Sequence, residues 1–374
     1  MISFILSLIN FIKYLRLKNK ENLIFLYSES KFYRYHFLDL INELKKNNNN
    51  IFIFITSDYD DYLFHKKIIK SIYIHYGFLL HLFFKILKCK CMIMTLTDLG
   101  NHLNKSNFCK NYIYFFHSLS STFKKYTKEA FQNYDIIFTN GEYQKKELLE
   151  LEKIYKLPKK KYVNIGYFYL DYISRNLNLN LTNKKTILFA PSWNYNKNNI
   201  LNDFGLKIIE VLIGSGYQTI LRPHPEQFKR SKKIINKIKK VYKNHDLFFL
   251  DNNPSNLDSL EKSDILITDN SAIDMEFGIL FSRPIIYINY KDKIHNPEFF
   301  KIDLDNIDEK FKNNIGYQIE TKRINELPLI VSNLISNNKD TKFQVEEFKK
   351  KNISNLGCSS TKASEFITSN FVDK

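Results

Sequence analysis

Short apolar runs alternate with amphipathic stretches along almost the whole chain. "NLIFLYS" (22–28) predicts a strand, and "YRYHFLDLINELKK" (33–46) repeats its apolar positions at helical spacing and predicts a helix. "NNNNIFIFITSD", "CMIMTLTD", "NYIYFFHS" and "YDIIFTNG" each predict a further strand. After a polar stretch rich in Asn and Lys, "NKKTILFAPS" opens a second series. It runs through "GLKIIEVLIGSG" (helix), "YQTILRPHP", "HDLFFLD" and "SDILITDNS" (strands), "AIDMEFGILF" (helix) and "RPIIYIN" (strand). Strands alternating with helices predict parallel sheets in α/β layers, here two of them joined near 175–184. No internal repeat and no low-complexity tract beyond the four asparagines at 47–50 interrupts the pattern.

Length and composition agree with two cores. The chain has 374 residues, 44% of them hydrophobic and 15% aromatic. A formal charge of +17 adds something the pattern does not show. Such a surface draws in polyanions: nucleic acid, anionic lipid headgroups or a phosphate-bearing substrate. The basic runs "LPKKKY" (157–162) and "FKRSKKIINKIKK" (228–240) are spread out, each reads first as a solvated face, and no nucleic-acid-binding motif accompanies them. Nucleic acid is therefore not the expected partner. Of four cysteines only "CKC" (89–91) is close-spaced, so neither a zinc site nor a disulfide framework is expected.

The N-terminal "MISFILSLINFIKYLRLKNK" lacks a basic leader and a cleavage site, and its apolar stretch falls short of the about 20 residues that span a bilayer. It reads either as a first helix packed on its domain or as an amphipathic helix lying on a membrane, with Lys13, Arg16, Lys18 and Lys20 near the headgroups. "HYGFLLHLFFKILK" (75–88) is a second candidate for surface attachment.

Ligands of open α/β sheets bind beyond the carboxyl ends of the strands, so polar residues just after each strand are the candidate chemistry. His117 follows "YIYFF" and is followed by Ser118, Ser120, Ser121 and Thr122. It reads as a base for a substrate hydroxyl or as a histidine bonded to its own loop. In "TILRPHPE" (219–226) Pro223 and Pro225 stiffen the loop and aim Arg222 and His224, a fork and a proton donor suited to phosphate. Glu226 could orient that imidazole. In "ILITDNSAIDMEFG" (265–278) Thr268, Asp269, Asn270 and Ser271 lie between a strand and a helix. Ser271 with Asp274 reads as a capping box, and the same helix start suits a phosphate. Glu276, one turn on, is placed to accept hydrogen bonds from a ribose. Ser192 and Trp193 in "FAPSWNYN" (189–196) form a weaker fourth site. No glycine-rich dinucleotide or P-loop pattern occurs, which argues against dehydrogenases and P-loop NTPases.

In order, "FFHSLSSTFKKYTKEAFQNYDIIFTNGEYQKKEL", "ILFAPSW", "LRPHPE" and "DILITDNSAIDMEF" resemble the CDP-glycerol glycerophosphotransferase family, which primes and polymerises teichoic-acid and related capsular backbones. The match spans roughly 111–290, with weaker agreement at "NLGCSSTKASEFI" (355–367). Ser118 stands where many members have glycine, and Asn270 and Ala272 stand where an aromatic and a second serine are common. The resemblance implies two Rossmann-like domains facing a cleft, the GT-B arrangement. Residues 1–178 would be the acceptor- and membrane-facing domain, and 179–374 the nucleotide-donor domain, with the last helix a candidate to return to the first. It implies His117 as base for the acceptor hydroxyl, Arg222 and His224 at the donor phosphates, and Thr268, Asp269, Ser271 and Glu276 around the donor, where Ser192 and Asn270 are added from their positions after the strands. The reaction implied is attack of an acceptor hydroxyl on the β-phosphorus of a CDP-alditol, with CMP leaving. The acceptor would be lipid-linked or a polysaccharide. The enzyme would sit on the cytoplasmic face of the membrane, held by basic and apolar surface. No cofactor is implied, and Asp269 leaves a divalent metal open. Two other functions use the same sequence features: a sugar transferase of the same fold, and a non-catalytic membrane-surface or polyanion-binding protein.

Overall fold

The computed structural model describes residues 2–46, 51–66, 69–177, 185–194, 199–291, 294–336 and 341–372. The asparagine run at 47–50, the 178–179 junction and residues 195–196 lie outside the described residues.

The first lobe is a seven-stranded sheet of β1 (Ile24–Ser28), β2 (Phe52–Thr56), β3 (Ser71–Tyr73), β4 (Cys91–Met94), β5 (Tyr112–Phe115), β6 (Ile136–Thr139) and β7 (Lys161–Asn164), in the order β3-β2-β1-β4-β5-β6-β7. The second is a six-stranded sheet of β8 (Thr186–Phe189), β9 (Gln218–Leu221), β10 (Phe248–Leu250), β11 (Ile265–Thr268), β12 (Ile285–Asn289) and β13 (Gly316–Glu320), in the order β10-β9-β8-β11-β12-β13. The pairings in both sheets are parallel. Each order reverses once, between β1 and β4 and between β8 and β11, and a ligand crevice opens at such reversals. The two α/β domains expected from the sequence are therefore present.

The central strands read as unbroken apolar runs because both of their faces are covered: β1, β2, β4 and β8 are buried at every position. The pattern did not show β3, β7 or β13, and each of these is an edge strand. Edge strands face water, so they carry polar residues, as "KYVN" and "GYQIE" do here.

Three segments tie the lobes together. Helix Phe168–Asn176 sends Phe168 into the core of the first lobe and Leu170 and Ile173 into that of the second. The loop after β12 crosses back: the N–H groups of His295 and Asn296 donate to the Lys124 carbonyl at 3.0 and 3.1 Å, and Ile302 enters the first lobe's core. Helix Ser359–Phe371 lays Ala363, Ile367 and Phe371 on the core that contains Ile24 and Leu26 of β1.

Helix Ile2–Leu15 is turned inside out. Ser7 and Asn10 face the domain, and Ser7 Oγ accepts the His75 N–H at 2.7 Å. Ile2, Phe4, Ile5, Leu8, Ile9, Ile12 and Leu15 are exposed, at 40 to 75% of their surface. The 75–88 stretch behaves differently. Its helix, Phe78–Ile86, buries Leu79, Leu80, Phe83 and Phe84 in the first lobe. Most of its apolar bulk is core rather than attachment surface, and only Tyr76 and Phe78 remain as exposed large apolar residues. Among the described residues no helix is long and apolar enough to cross a membrane.

Candidate active site

The second lobe's reversal point is stitched shut by hydrogen bonds between loops. Ser192, after β8, donates its N–H and its hydroxyl to the two oxygens of Asp269, after β11, each at 2.7 Å. Thr268 Oγ donates to the Ala190 carbonyl at 2.8 Å. Gln227 adds the third loop: its Oε1 accepts the His224 N–H and its Nε2 donates to the Ser192 carbonyl, both at 2.9 Å. Ser192, Thr268 and Asp269 thus hold the loops in place, with each Asp269 oxygen accepting one of the bonds from Ser192.

The proline-flanked loop is fixed from several sides. Arg222 pairs with Asp251 through Nη1 and reaches the Asn253 carbonyl at 2.9 Å through Nη2, with its side chain only 13% exposed. His224 Nδ1 accepts the Glu226 N–H at 3.2 Å, so the neutral ring carries its proton on Nε2. The Glu226 carboxylate does not orient the imidazole; it pairs with Lys229 and Arg230, three and four residues on, and only its backbone reaches the ring. Trp193 lies beside His224, ring centroids 5.7 Å apart.

Helix Ile273–Phe281 begins without a side-chain cap. The expected Ser271–Asp274 capping box is not formed. Asp274 turns inward instead, accepting the Met275 N–H at 2.6 Å and the Tyr287 hydroxyl at 2.8 Å. Burial pushes its carboxyl up to about 7, with Asp308 adding to the effect. The uncapped first turn leaves the positive end of the helix dipole facing a cavity of roughly 250 Å³. Asp269, Asn270 and Ser271 line it from the second lobe, and Lys124 and Lys125 from the first. Those lysines pair across the cleft with Glu309 and, at 3.4 Å, Asp308.

His117 follows β5 in the first lobe; like Arg222 and His224, it is not among the residues that line this cavity. Its Nδ1 lies 2.6 Å from Thr95 Oγ1, which follows β4, and its ring packs on Tyr33 and His36 at centroid distances of 5.1 and 6.2 Å. His36 is buried, and burial, with His117 nearby, holds it well below its ordinary pKa and therefore neutral. Glu29 and Tyr33 beside it sense the charge of Glu226, next to His224. The start of the proline-flanked loop's helix, at Glu226, therefore lies near the Glu29–Tyr33 turn of the first lobe. The loop after His117 is anchored by Glu147, which accepts the Ser121 hydroxyl at 2.8 Å and the Thr122 N–H and hydroxyl at 2.6 Å each. Burial nevertheless raises that carboxyl to about 7.

Glu276 lies deeper than the cavity. Its oxygens meet Tyr167 Oη at 2.8 Å and Asn256 Nδ2 at 2.7 Å, and Tyr167 Oη is also 3.0 Å from the His117 carbonyl. Among the described residues no cluster of three or more His, Cys, Asp or Glu side chains suited to a metal occurs.

A family model described as CDP-Glycerol:Poly(glycerophosphate) glycerophosphotransferase matches residues 8–296. The chain belongs to this family. Like the family, it is a glycerophosphotransferase that uses CDP-glycerol. Among solved structures it resembles the wall teichoic acid polymerase TagF in a variant form, with TM-score 0.64 and 14% identity over 99% of this chain and 98% of that one. A TagF variant soaked with CDPG matches at TM-score 0.62 and 15% identity, over 99% and 93% of the two chains. The UDP-GlcNAc 2-epimerase of Neisseria meningitidis bound to UDP-GlcNAc matches at TM-score 0.60 and 15% identity, over 93% of this chain and 100% of that one. At these identities the structural likeness establishes the fold, two facing α/β lobes of the GT-B type. No curated protein matches the chain.

For this glycerophosphotransferase, sequence reasoning placed the loops correctly but missed their partners. Thr95 carried a signal, since it is the first polar residue after the strand "CMIM". Gln227, Tyr167, Asn256 and His36 carried none, because their roles depend on residues up to 109 positions away.

Proposed function

We propose that the cleft transfers glycerol phosphate from CDP-glycerol to the terminal hydroxyl of a teichoic-acid-type or capsular acceptor that is lipid-linked or polymeric. The observation that carries this reading is the pairing of an uncapped helix start at Ser271–Ile273 with an imidazole, His117, presented from the facing lobe. Transfer needs no covalent intermediate on the protein; it needs the diphosphate held and the attacking oxygen aligned and deprotonated. In this reading the N–H groups at the helix start face the diphosphate, His224 donates to it through Nε2, and Asn270 and Ser271 line its bed. Arg222, bound to Asp251, contributes its charge from a fixed position. His117 receives the acceptor proton on Nε2 while Thr95 holds Nδ1. The phosphorus–oxygen bond to the acceptor forms as the bond to CMP breaks.

The exposed apolar face of helix Ile2–Leu15, with Tyr76 and Phe78 and with the exposed Lys13, Arg16 and Lys18 on the same segment, supports a second element of the proposal: the enzyme lies on the anionic cytoplasmic face of a membrane, where lipid-linked acceptors are presented. The net charge of +17 draws both donor and membrane in the same direction.

The test is thermal unfolding against a panel of CDP-glycerol, CDP-ribitol and UDP-sugars, because only a ligand that prefers the native state stabilises it. CDP-glycerol should raise the transition temperature most, in a concentration-dependent way. A larger rise with a UDP-sugar would favour the sugar-transferase reading instead.

A further inference from the structure

The polar chain behind the cleft contains one hydrogen-bond acceptor too many. Tyr169 Oη lies 2.5 Å from Asn256 Oδ1, Asn256 Nδ2 lies 2.7 Å from Glu276 Oε2, Glu276 Oε1 lies 2.8 Å from Tyr167 Oη, and Tyr167 Oη lies 3.0 Å from the His117 carbonyl oxygen. A phenol has a single proton. If Glu276 is ionised, Tyr167 can satisfy either the carboxylate or the carbonyl but not both, in a place where Tyr167, Glu276 and Asn256 are all buried. Turning the Asn256 amide round does not help, since the missing proton is at Tyr167. One added proton on Glu276 Oε1 closes the chain: Tyr169 donates to Asn256, Asn256 to Glu276 Oε2, Glu276 to Tyr167, and Tyr167 to the His117 carbonyl.

We infer that Glu276 is held as a neutral carboxylic acid and acts as a positioning residue, locking the helix that begins at Ile273 to the backbone of His117. The groups facing it fit this. Tyr167 and Tyr169 come from the interlobe helix and its approach, and Asn256 from the loop before helix Leu257–Lys262. Arg222 is the cation whose charge reaches it, and that guanidinium is already paired with Asp251. Burial raises the carboxyl in the same direction, opposed by the hydrogen bonds with Tyr167 and Asn256 and then by the charge of Arg222. The consequence is mechanical. The helix that begins at Ile273 and the His117 backbone are held at a fixed separation by two consecutive hydrogen bonds through Tyr167, with Asn256 and Tyr169 bracing Glu276 from the other side, and the carboxyl serves that spacing rather than a ribose. The effect on turnover rests on the proposed transfer reaction, whereas the protonation does not.

The experiment uses the full chain and three variants, Glu276→Gln, Glu276→Ala and Tyr167→Phe, each checked for folding by its unfolding transition. Glutamine offers an N–H to Tyr167 and a carbonyl to Asn256, so it reproduces the pattern of the neutral acid. Glu276→Gln should therefore keep kcat and KM for CDP-glycerol close to those of the parent. Glu276→Ala and Tyr167→Phe should lower kcat by about 10²-fold, the scale of a misplaced reacting group, with KM little changed. The infrared difference between parent and Glu276→Gln, recorded without donor at neutral pH, should show a protonated-carboxyl band lost in the variant. Two outcomes overturn the inference: no such band, or a Glu276→Gln protein with raised KM that no longer distinguishes CDP-glycerol from its 2′-deoxyribose analogue. If the parent itself fails to turn over CDP-glycerol, the reaction reading fails while the infrared result still decides the protonation.

Discussion

At the scale of single residues, the site separates groups that face the cleft from groups that hold it. Replacing His117 by alanine removes the proposed base and should lower kcat by about 10²-fold or more, the size of general acid–base catalysis, with donor binding nearly intact. Steady-state kinetics on CDP-glycerol check this. Asp274 makes a prediction about pH. Its folded pKa of about 7 stands above the unfolded 3.8, so as pH rises the unfolded chain gives up its proton first and stability falls between about 4 and 7. Asp274→Asn removes that term. The variant should gain in transition temperature relative to the parent as pH is raised from 5 to 8, and a constant difference would contradict the assignment. Sequence alone showed His117, Arg222, His224 and the 268–271 turn, because strand ends followed by polar residues are visible locally. It could not show that Arg222 would pair with Asp251, or that Asp274 would turn to Tyr287 instead of capping its helix. Those outcomes belong to contacts formed only when distant segments pack.

At the scale of elements, the interior strands were legible and three of the four edge strands were not, β10 with its "LFFL" run being the exception; the reason is burial on two faces against burial on one. The N-terminal helix kept both of its readings open in the sequence because its apolar residues outnumber what one buried stripe can use. The structure gives the inner face to Ser7, Asn10, Phe11 and Tyr14 and turns the aliphatic side chains outward. The combined substitution Ile5→Ser, Ile9→Ser and Ile12→Ser should therefore leave the unfolding transition almost unchanged. Its co-sedimentation with anionic vesicles should fall at least about tenfold, given about 1.5–3 kcal/mol for full burial of each aliphatic side chain and a factor of ten per about 1.4 kcal/mol. Undiminished binding would place the membrane contact elsewhere.

For the whole molecule, two sheets of the same winding order face one another, tied by the interlobe helix, the loop after β12 and the last helix. Ion pairs from Lys124 and Lys125 cross the same gap near the cavity. In the proposed function the donor bed lies on one lobe and the base on the other, so the chemistry requires both. The most direct test supplies the purified protein with CDP-glycerol labelled in the glycerol, together with a glycerol-phosphate-terminated acceptor on vesicles. The account predicts label passing to the acceptor with one CMP released for each glycerol phosphate transferred, and both events slowed by about 10²-fold or more with His117→Ala. Transfer of a hexose from a UDP-sugar without any from CDP-glycerol, or undiminished transfer by His117→Ala, would contradict it.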